Sequence, residues 1–324
     1  MAAPLSPEGA LADPQVKTRT AALSVVSNSV LILLKVIAGS ITGSVAILTE
    51  AVHSSIDLVA SIVALFSVRK AGEPADESHR YGHEKVENLA AAIEGILILV
   101  GSAAIAFQAI RHLAGHEQLQ SLGVGIAVIA FSLVANLIVS AVIARNARRT
   151  DSPALEGDAA HLRTDALTSL AVLVGLALVK ITGAYWLDPV VALAVASTIV
   201  VTGVRLLTRS SRVLVDEALP ADEVALIRGA IEQFGGEGVV GYHELRTRRA
   251  GSRRYVDLHV QFRQGISLED AHRTAHELQD VIGGRLGGAD VLIHLEPEDR
   301  VRPGEEVGSA GAQGAPAPAP PSGR

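Results

Sequence analysis

Six apolar stretches, each long enough to cross a bilayer, fill the first two thirds of this chain and leave few folds open to it. A hydrocarbon core needs about 20 mainly apolar residues per helix. Runs of that length lie near residues 20–42, 45–69, 86–111, 120–145, 158–180 and 186–208 of the 324. The expected fold is therefore an α-helical polytopic membrane domain of six transmembrane helices. The short N-terminal tail, residues 1–16, is rich in Ala and Pro with acidic residues, is expected to be disordered, and lacks the basic start and cleavage site of a secretory signal. The first apolar run reads as a retained helix.

Lys and Arg in short loops favour the cytoplasmic side. Arg69, Lys70, Arg80 and Lys85 join helices two and three, and Arg145, Arg148 and Arg149 join helices four and five. Lys17 and Arg19 precede the first helix, and Arg205, Arg209 and Arg212 leave the sixth. The opposite loops offer only Arg111 and Lys180. Both termini are expected in the cytoplasm, with Lys35 snorkelling toward the outer interface.

Past about residue 210 the pattern changes. Residues 221–234 read as a helix with Asp222 and Glu223 at its favourable end. From Tyr255 to Phe262 the chain alternates, Val256, Leu258, Val260 and Phe262 on one face and Tyr255, Asp257, His259 and Gln261 on the other, as a half-buried strand does. Ser267 and Asp270 open a second helix as a capping box. With strands near 240–248 and 290–295, the order αββαβ gives a small α+β cytoplasmic domain over 211–300. The membrane domain then covers 17–210, and the Pro/Ala-rich tail 301–324 is expected to be disordered.

Composition removes several kinds of chemistry. The chain has no cysteine, so thiolate metal sites, disulfides and thiol catalysis are out. A net charge of −6 without a basic stripe speaks against nucleic acid. His83-Glu-Lys-Val-Glu87 and His276-Glu-Leu-Gln-Asp280 resemble the zinc-protease motif H-E-x-x-H, but each lacks the second His, and no Walker-type phosphate loop occurs. An enzyme is not expected.

The informative residues are the ionisable ones inside apolar helices. His53 and Asp57 stand four apart in the second helix, and His161 and Asp165 repeat that spacing in the fifth. Residues four apart share one helix face. An intramembrane carboxylate costs roughly 2.5–3.5 kcal/mol on insertion scales, which makes such residues functional suspects. A histidine of this kind can simply hydrogen-bond a neighbouring helix. Two copies of the spacing argue instead for a four-ligand N₂O₂ set, which suits Zn²⁺ better than Mn²⁺ or Mg²⁺. Metal binding needs neutral His and ionised Asp, so protons compete for the same site. Glu50, also in the second helix, has no assigned role.

Two further clusters lie outside the membrane. Asp76, Glu77, His79 and His83 crowd the loop between helices two and three, where either acid could join the two histidines. In the soluble domain His243, His259, His272, His276, His294 and Glu296 form another group, with His294 and Glu296 on one face of a strand.

The strings TGSVAILTEAVHSSIDLVAS, PADESHRYGHEKVENLAA, DAAHLRTDALTS, VDEALP, YHELRTRRAG and DVLIHLEPED, in this order, resemble the cation diffusion facilitator family over roughly residues 17–300. The resemblance implies a homodimer with a metallochaperone-like cytoplasmic domain that exchanges divalent metal for H⁺ across the membrane. It places the transport site at His53, Asp57, His161 and Asp165, of the zinc-transporting H-D/H-D type. It places a loop site at His79 and His83 with Asp76 or Glu77, and a cytoplasmic site at His243, His259, His294, Glu296 and His272, with Glu296 where an Asp is expected. Lys85 and Asp216 match an interfacial ion pair. The expected activity is proton-coupled efflux of Zn²⁺ through the plasma (cytoplasmic) membrane. The same mechanism could serve Fe²⁺, Mn²⁺, Co²⁺ or Cd²⁺, and a membrane metal sensor or storage protein is the alternative of a different class.

Overall fold

The computed structural model describes residues 14–42, 45–114, 123–184, 186–301 and 306–307; several side chains within α1–α6, those of 45–50, 52, 53 and 56 in α2 among them, lie outside this set. The chain divides after Asp216 into two compact units. Six long helices build the first: α1 Pro14–Thr42, α2 Val45–Ala71, α3 Lys85–Ala114, α4 Gly123–Thr150, α5 Pro153–Thr182 and α6 Leu187–Leu214. Among the described residues, five of these are long and apolar enough to cross a membrane, over Pro14–Ala38, Lys85–Arg111, Ile126–Thr150, Pro153–Val179 and Pro189–Leu214. The expected sixth span falls on α2, where part of the helix lies outside the described side chains.

The helical unit is apolar outside and polar within. Leu33, Phe66, Val100, Phe107 and Ile138 are all 60% exposed or more, while Ser24, Ser61, Glu94 and Asp158 are fully buried. Only a solvent as apolar as lipid makes that arrangement stable, because polar groups in hydrocarbon must find partners inside the protein. Ser24, Ser61 and Asp158 have theirs. Ser24 Oγ donates to Asp158 Oδ1 at 2.8 Å, Ser61 Oγ reaches the same oxygen at 3.3 Å, and Asn28 Nδ2 donates to Ser61 Oγ at 2.7 Å. Lys17 pairs with Glu87 at 2.7 Å, both buried. Ser152 also donates to Glu87 and caps the first turn of α5 by accepting from the Leu155 amide. Lys35 does not snorkel: it is buried and donates to Ser54 Oγ on α2 at 2.7 Å.

The helices outrun the apolar stretches, since lipid thickness ends a hydrophobic run but not a helix. α5 starts at Pro153 behind the Ser152 cap and stops at Gly183, whose φ of 72° seats its amide on the Val179 carbonyl. α3 and α6 approach closely at two glycines. A Cβ on Gly95 would sit 3.0 Å from the Leu207 nitrogen, and one on Gly203 would sit 2.9 Å from Leu99 Cγ.

The second unit runs α7 Ala221–Ile231, a 3-10 turn, β1 Val239–Ala250, β2 Arg253–Phe262, α8 Leu268–Arg285 and β3 Asp290–Pro297. The strands are ordered β1-β2-β3. β2 and β3 are parallel, with His259 opposite His294 and Gln261 opposite Glu296. Ser267 accepts from the Asp270 amide at 3.0 Å, the expected cap of α8. One face of β2, Val256, Leu258, Val260 and Phe262, packs with Ile227, Ile231, Leu278 and Ile282 as the core. The other face is not uniformly polar and open: Tyr255 is buried beneath the Arg248 guanidinium, 4.2 Å from the ring centre, and Gln261 is buried too. Glu306 bridges to Gly241 of β1, so part of the tail expected to be disordered adds to the sheet edge, while residues 308–324 lie outside the described set.

Leu278 is fully buried at the centre of this core. Leu278→Ala should destabilise the C-terminal unit by about 2–5 kcal/mol. Hydrogen exchange on the full chain should then show lost amide protection in α8 and β2, with α1–α6 unchanged.

Candidate metal centres

The first centre lies inside the helical unit. Asp57 is on α2, and His161 and Asp165 are one turn apart on α5. His161 Nε2 stands 3.3 Å from Asp57 Oδ1 and 3.9 Å from Asp165 Oδ2. All three ligand atoms lie within 4.8 Å of one another. A tetrahedral ion with bonds of ~2.0–2.2 Å would separate its ligand atoms by roughly 3.3–3.6 Å, so little movement is needed to grip one. Asp57 and His161 are each 7% exposed, and the site is walled by helices rather than water. His53, the fourth expected ligand, and Glu50 lie outside the described side chains.

The second centre is the loop between α2 and α3, where the structure brings Asp76, His79 and His83 together. Asp76 Oδ1 accepts from the backbone amides of Ser78 at 2.8 Å and His79 at 2.6 Å. The tight turn this makes leaves Oδ2 facing His83 Nε2 at 3.3 Å, with the His79 and His83 rings tilted against each other and their centres 4.5 Å apart. The amide of His79, first among these contacts, holds the Asp76 carboxyl below the usual carboxylate range. Asp76 rather than Glu77 is the acid that meets the histidines.

The third centre spans the sheet of the C-terminal unit. Glu296 on β3 receives His243 Nε2 from β1 at 2.8 Å and His259 Nδ1 from β2 at 3.0 Å. The His294 ring lies 4.7 Å from that of His259, as the β2–β3 register requires. His272 is not part of this group: its Nε2 sits 3.2 Å from that of His276, one turn along α8.

The match to known proteins follows both units. The cation efflux transmembrane domain matches residues 21–215, and the cation efflux protein cytoplasmic domain matches residues 219–298. The chain belongs to the cation efflux family, the cation diffusion facilitators. The cation-efflux pump FieF of Yersinia enterocolitica is 36% identical over 288 residues, 88% of this chain and 95% of that one. The uncharacterized transporter sll1263 of Synechocystis sp. is 34% identical over 264 residues, 82% of this chain and 85% of its own. Among solved structures, the Zn form of CzrB covers 27% of this chain and 98% of its own at 35% identity, with a TM-score of 0.25.

As a cation efflux protein the chain is a multi-pass membrane transporter and not an enzyme. The Lys85 ammonium donates to Asp216 Oδ1 at 2.9 Å at the exit of α6, where Asp216 adopts a left-handed φ of 59°. Two buried acids beside the membrane centre have no role from residue spacing. Asp158 lies three residues before His161, and Glu94 on α3 comes within 3.7 Å of His161 Nδ1. The signal that could have found Glu94 is its position between Ile93 and Gly95 in an apolar span, where a carboxylate is as costly as Asp57.

Hydrogen bonds from His243 and then His259 draw the Glu296 pKa down from 4.5 to about 2, against the opposing effect of burial. A pKa depressed by folding adds stability above the unfolded value and loses it as pH falls through the folded one. In metal-free protein this contribution should be complete above pH 4.5 and fade toward pH 2. Denaturation of the C-terminal unit stepped through that window should show an acid slope that Glu296→Gln reduces. A slope unaltered in the variant counts against the contact.

Proposed function

We propose that the chain is a proton-coupled antiporter that exports Zn²⁺ from the cytoplasm, with His53, Asp57, His161 and Asp165 as the transport site. The observation that carries this reading is the convergence of Asp57, His161 and Asp165 inside the helical unit. His53 stands four residues before Asp57 on α2, which supports it as the fourth ligand. Two nitrogens and two oxygens favour zinc over ions that prefer more oxygen.

The same ligands supply the coupling. The ion binds neutral imidazole and ionised carboxylate, so protons and metal exclude each other at one site. When the cavity faces the cytoplasm, Zn²⁺ displaces protons. When it faces the other side, protons displace Zn²⁺, and a proton gradient directed inward drives net export. The two faces open in turn by movement of helices around a fixed site, as in other secondary carriers.

α2 completes a set of six spans in this reading, both termini are cytoplasmic in accord with the Lys/Arg bias, and the protein resides in the plasma membrane. The C-terminal unit pairs two copies into a homodimer. Asp76, His79 and His83 hold one resident ion in the loop, and His243, His259, His294 and Glu296 hold metal in the C-terminal unit. Lys85 and Asp216 anchor the exit of the membrane helices.

Purified protein in liposomes with an internal zinc indicator tests the reading. A pH difference should drive Zn²⁺ flux, and an ionophore that dissipates it should stop net transport. His161→Ala and Asp165→Ala should each reduce flux to the leak of empty liposomes. Parent-like transport by either variant would remove the ligand assignment, and flux indifferent to the pH gradient would remove the coupling.

A further inference from the structure

Each buried acid of the helical unit can be asked what satisfies it. Asp158 accepts from Ser24 and Ser61, and Glu87 from Lys17 and Ser152. Glu94 differs: it is fully buried, and neither carboxylate oxygen has a hydrogen-bond partner among the described residues. His161 Nδ1 is buried and equally without one. These two orphaned groups face each other at 3.7 Å.

The placement follows from packing. Gly157 stands one turn before His161 on α5, and a Cβ there would meet Glu94 Cβ and Cγ at 3.1 Å. The missing side chain lets the stem of Glu94 lie against α5 on the face that carries His161. Nε2 of the same ring points the other way, toward Asp57 and Asp165. Glu94 thus sits behind the imidazole and cannot share an ion held in front of it.

A neutral imidazole carries one N–H and one lone pair. An ion bound through Nε2 leaves the proton on Nδ1, and ligating histidines almost always donate that proton to a carboxylate, carbonyl or water. Closing the present gap to the ~2.7–3.2 Å of a hydrogen bond takes a shift of under about 1 Å. We propose that Glu94 is a positioning residue of the transport site, accepting from His161 Nδ1–H and so fixing the tautomer and ring angle that aim Nε2 at the cation. The inference rests on the transport-site reading given above.

Initial rates of zinc flux in proteoliposomes, measured against zinc concentration, test it. Glu94→Leu keeps the bulk and removes the acceptor, and should raise KM by about 10–100-fold with little change in Vmax, the usual loss when a ligand's supporting partner is removed. Glu94→Gln keeps an oxygen at the same reach and should restore most of that loss. If the leucine variant does not insert, Glu94→Asp, which withdraws the acceptor by one methylene, should have a higher KM than the glutamine variant. Parent-like KM in Glu94→Leu, equal KM in the Asp and Gln variants, or a loss confined to Vmax would each overturn the proposal. Asp165→Ala separates the two levels: if it too behaves like the parent, the transport site itself is misassigned, whereas loss there with an unaffected Glu94→Leu discards only the role of Glu94.

Discussion

A charge in hydrocarbon is the constraint from which the rest of this structure follows. Each carboxylate placed at mid-membrane costs roughly 2.5–3.5 kcal/mol unless something inside the protein compensates. The helical unit answers by gathering its polar groups onto the facing sides of α1, α2, α3 and α5. Ser24, Asn28, Ser61 and Asp158 form one knot, and Lys17, Glu87 and Ser152 form another. Asp57, His161 and Asp165 form a third. In the transport site proposed above, a cation of the right size completes it. The same carboxylates that make the empty site costly are what make a filled one favourable.

The two peripheral candidate centres position their side chains by different means. In the loop, a side chain shapes the backbone: one Asp76 oxygen makes the turn and the other is left for His83. In the C-terminal unit the backbone shapes the side chains. The parallel β2–β3 register sets His259 beside His294 and Gln261 beside Glu296, and the paired strands fix the spacing.

Much of this was legible in the residues because the physics is local. The alternation along β2, the Ser267–Asp270 cap and the repeated four-residue spacing of His and Asp each report on a single element. Beyond that pairing of the second and fifth helices, the spacing could not supply which elements meet. Glu94 carries no partner along its own helix, so nothing in α3 hints at His161 across the gap. Asp76 and Glu77 are indistinguishable until one of them closes a turn. His272 falls toward His276 because residues one turn apart on α8 are neighbours whatever the strands do. Gln261 and Tyr255 break the polar face of β2 since each finds a partner, Glu296 for one and Arg248 for the other. The helix ends escaped for a simpler reason, as hydropathy records where lipid stops.

The glycine seam between α3 and α6 has a mechanical corollary. With Leu207 seated on Gly95 and Leu99 on Gly203, neither helix can slip along the other without a steric clash. Packing this close favours the two moving as one lever. In the alternating cycle proposed above, a swing that turns the cavity from one compartment to the other would carry both together and hinge at a looser seam elsewhere in the bundle.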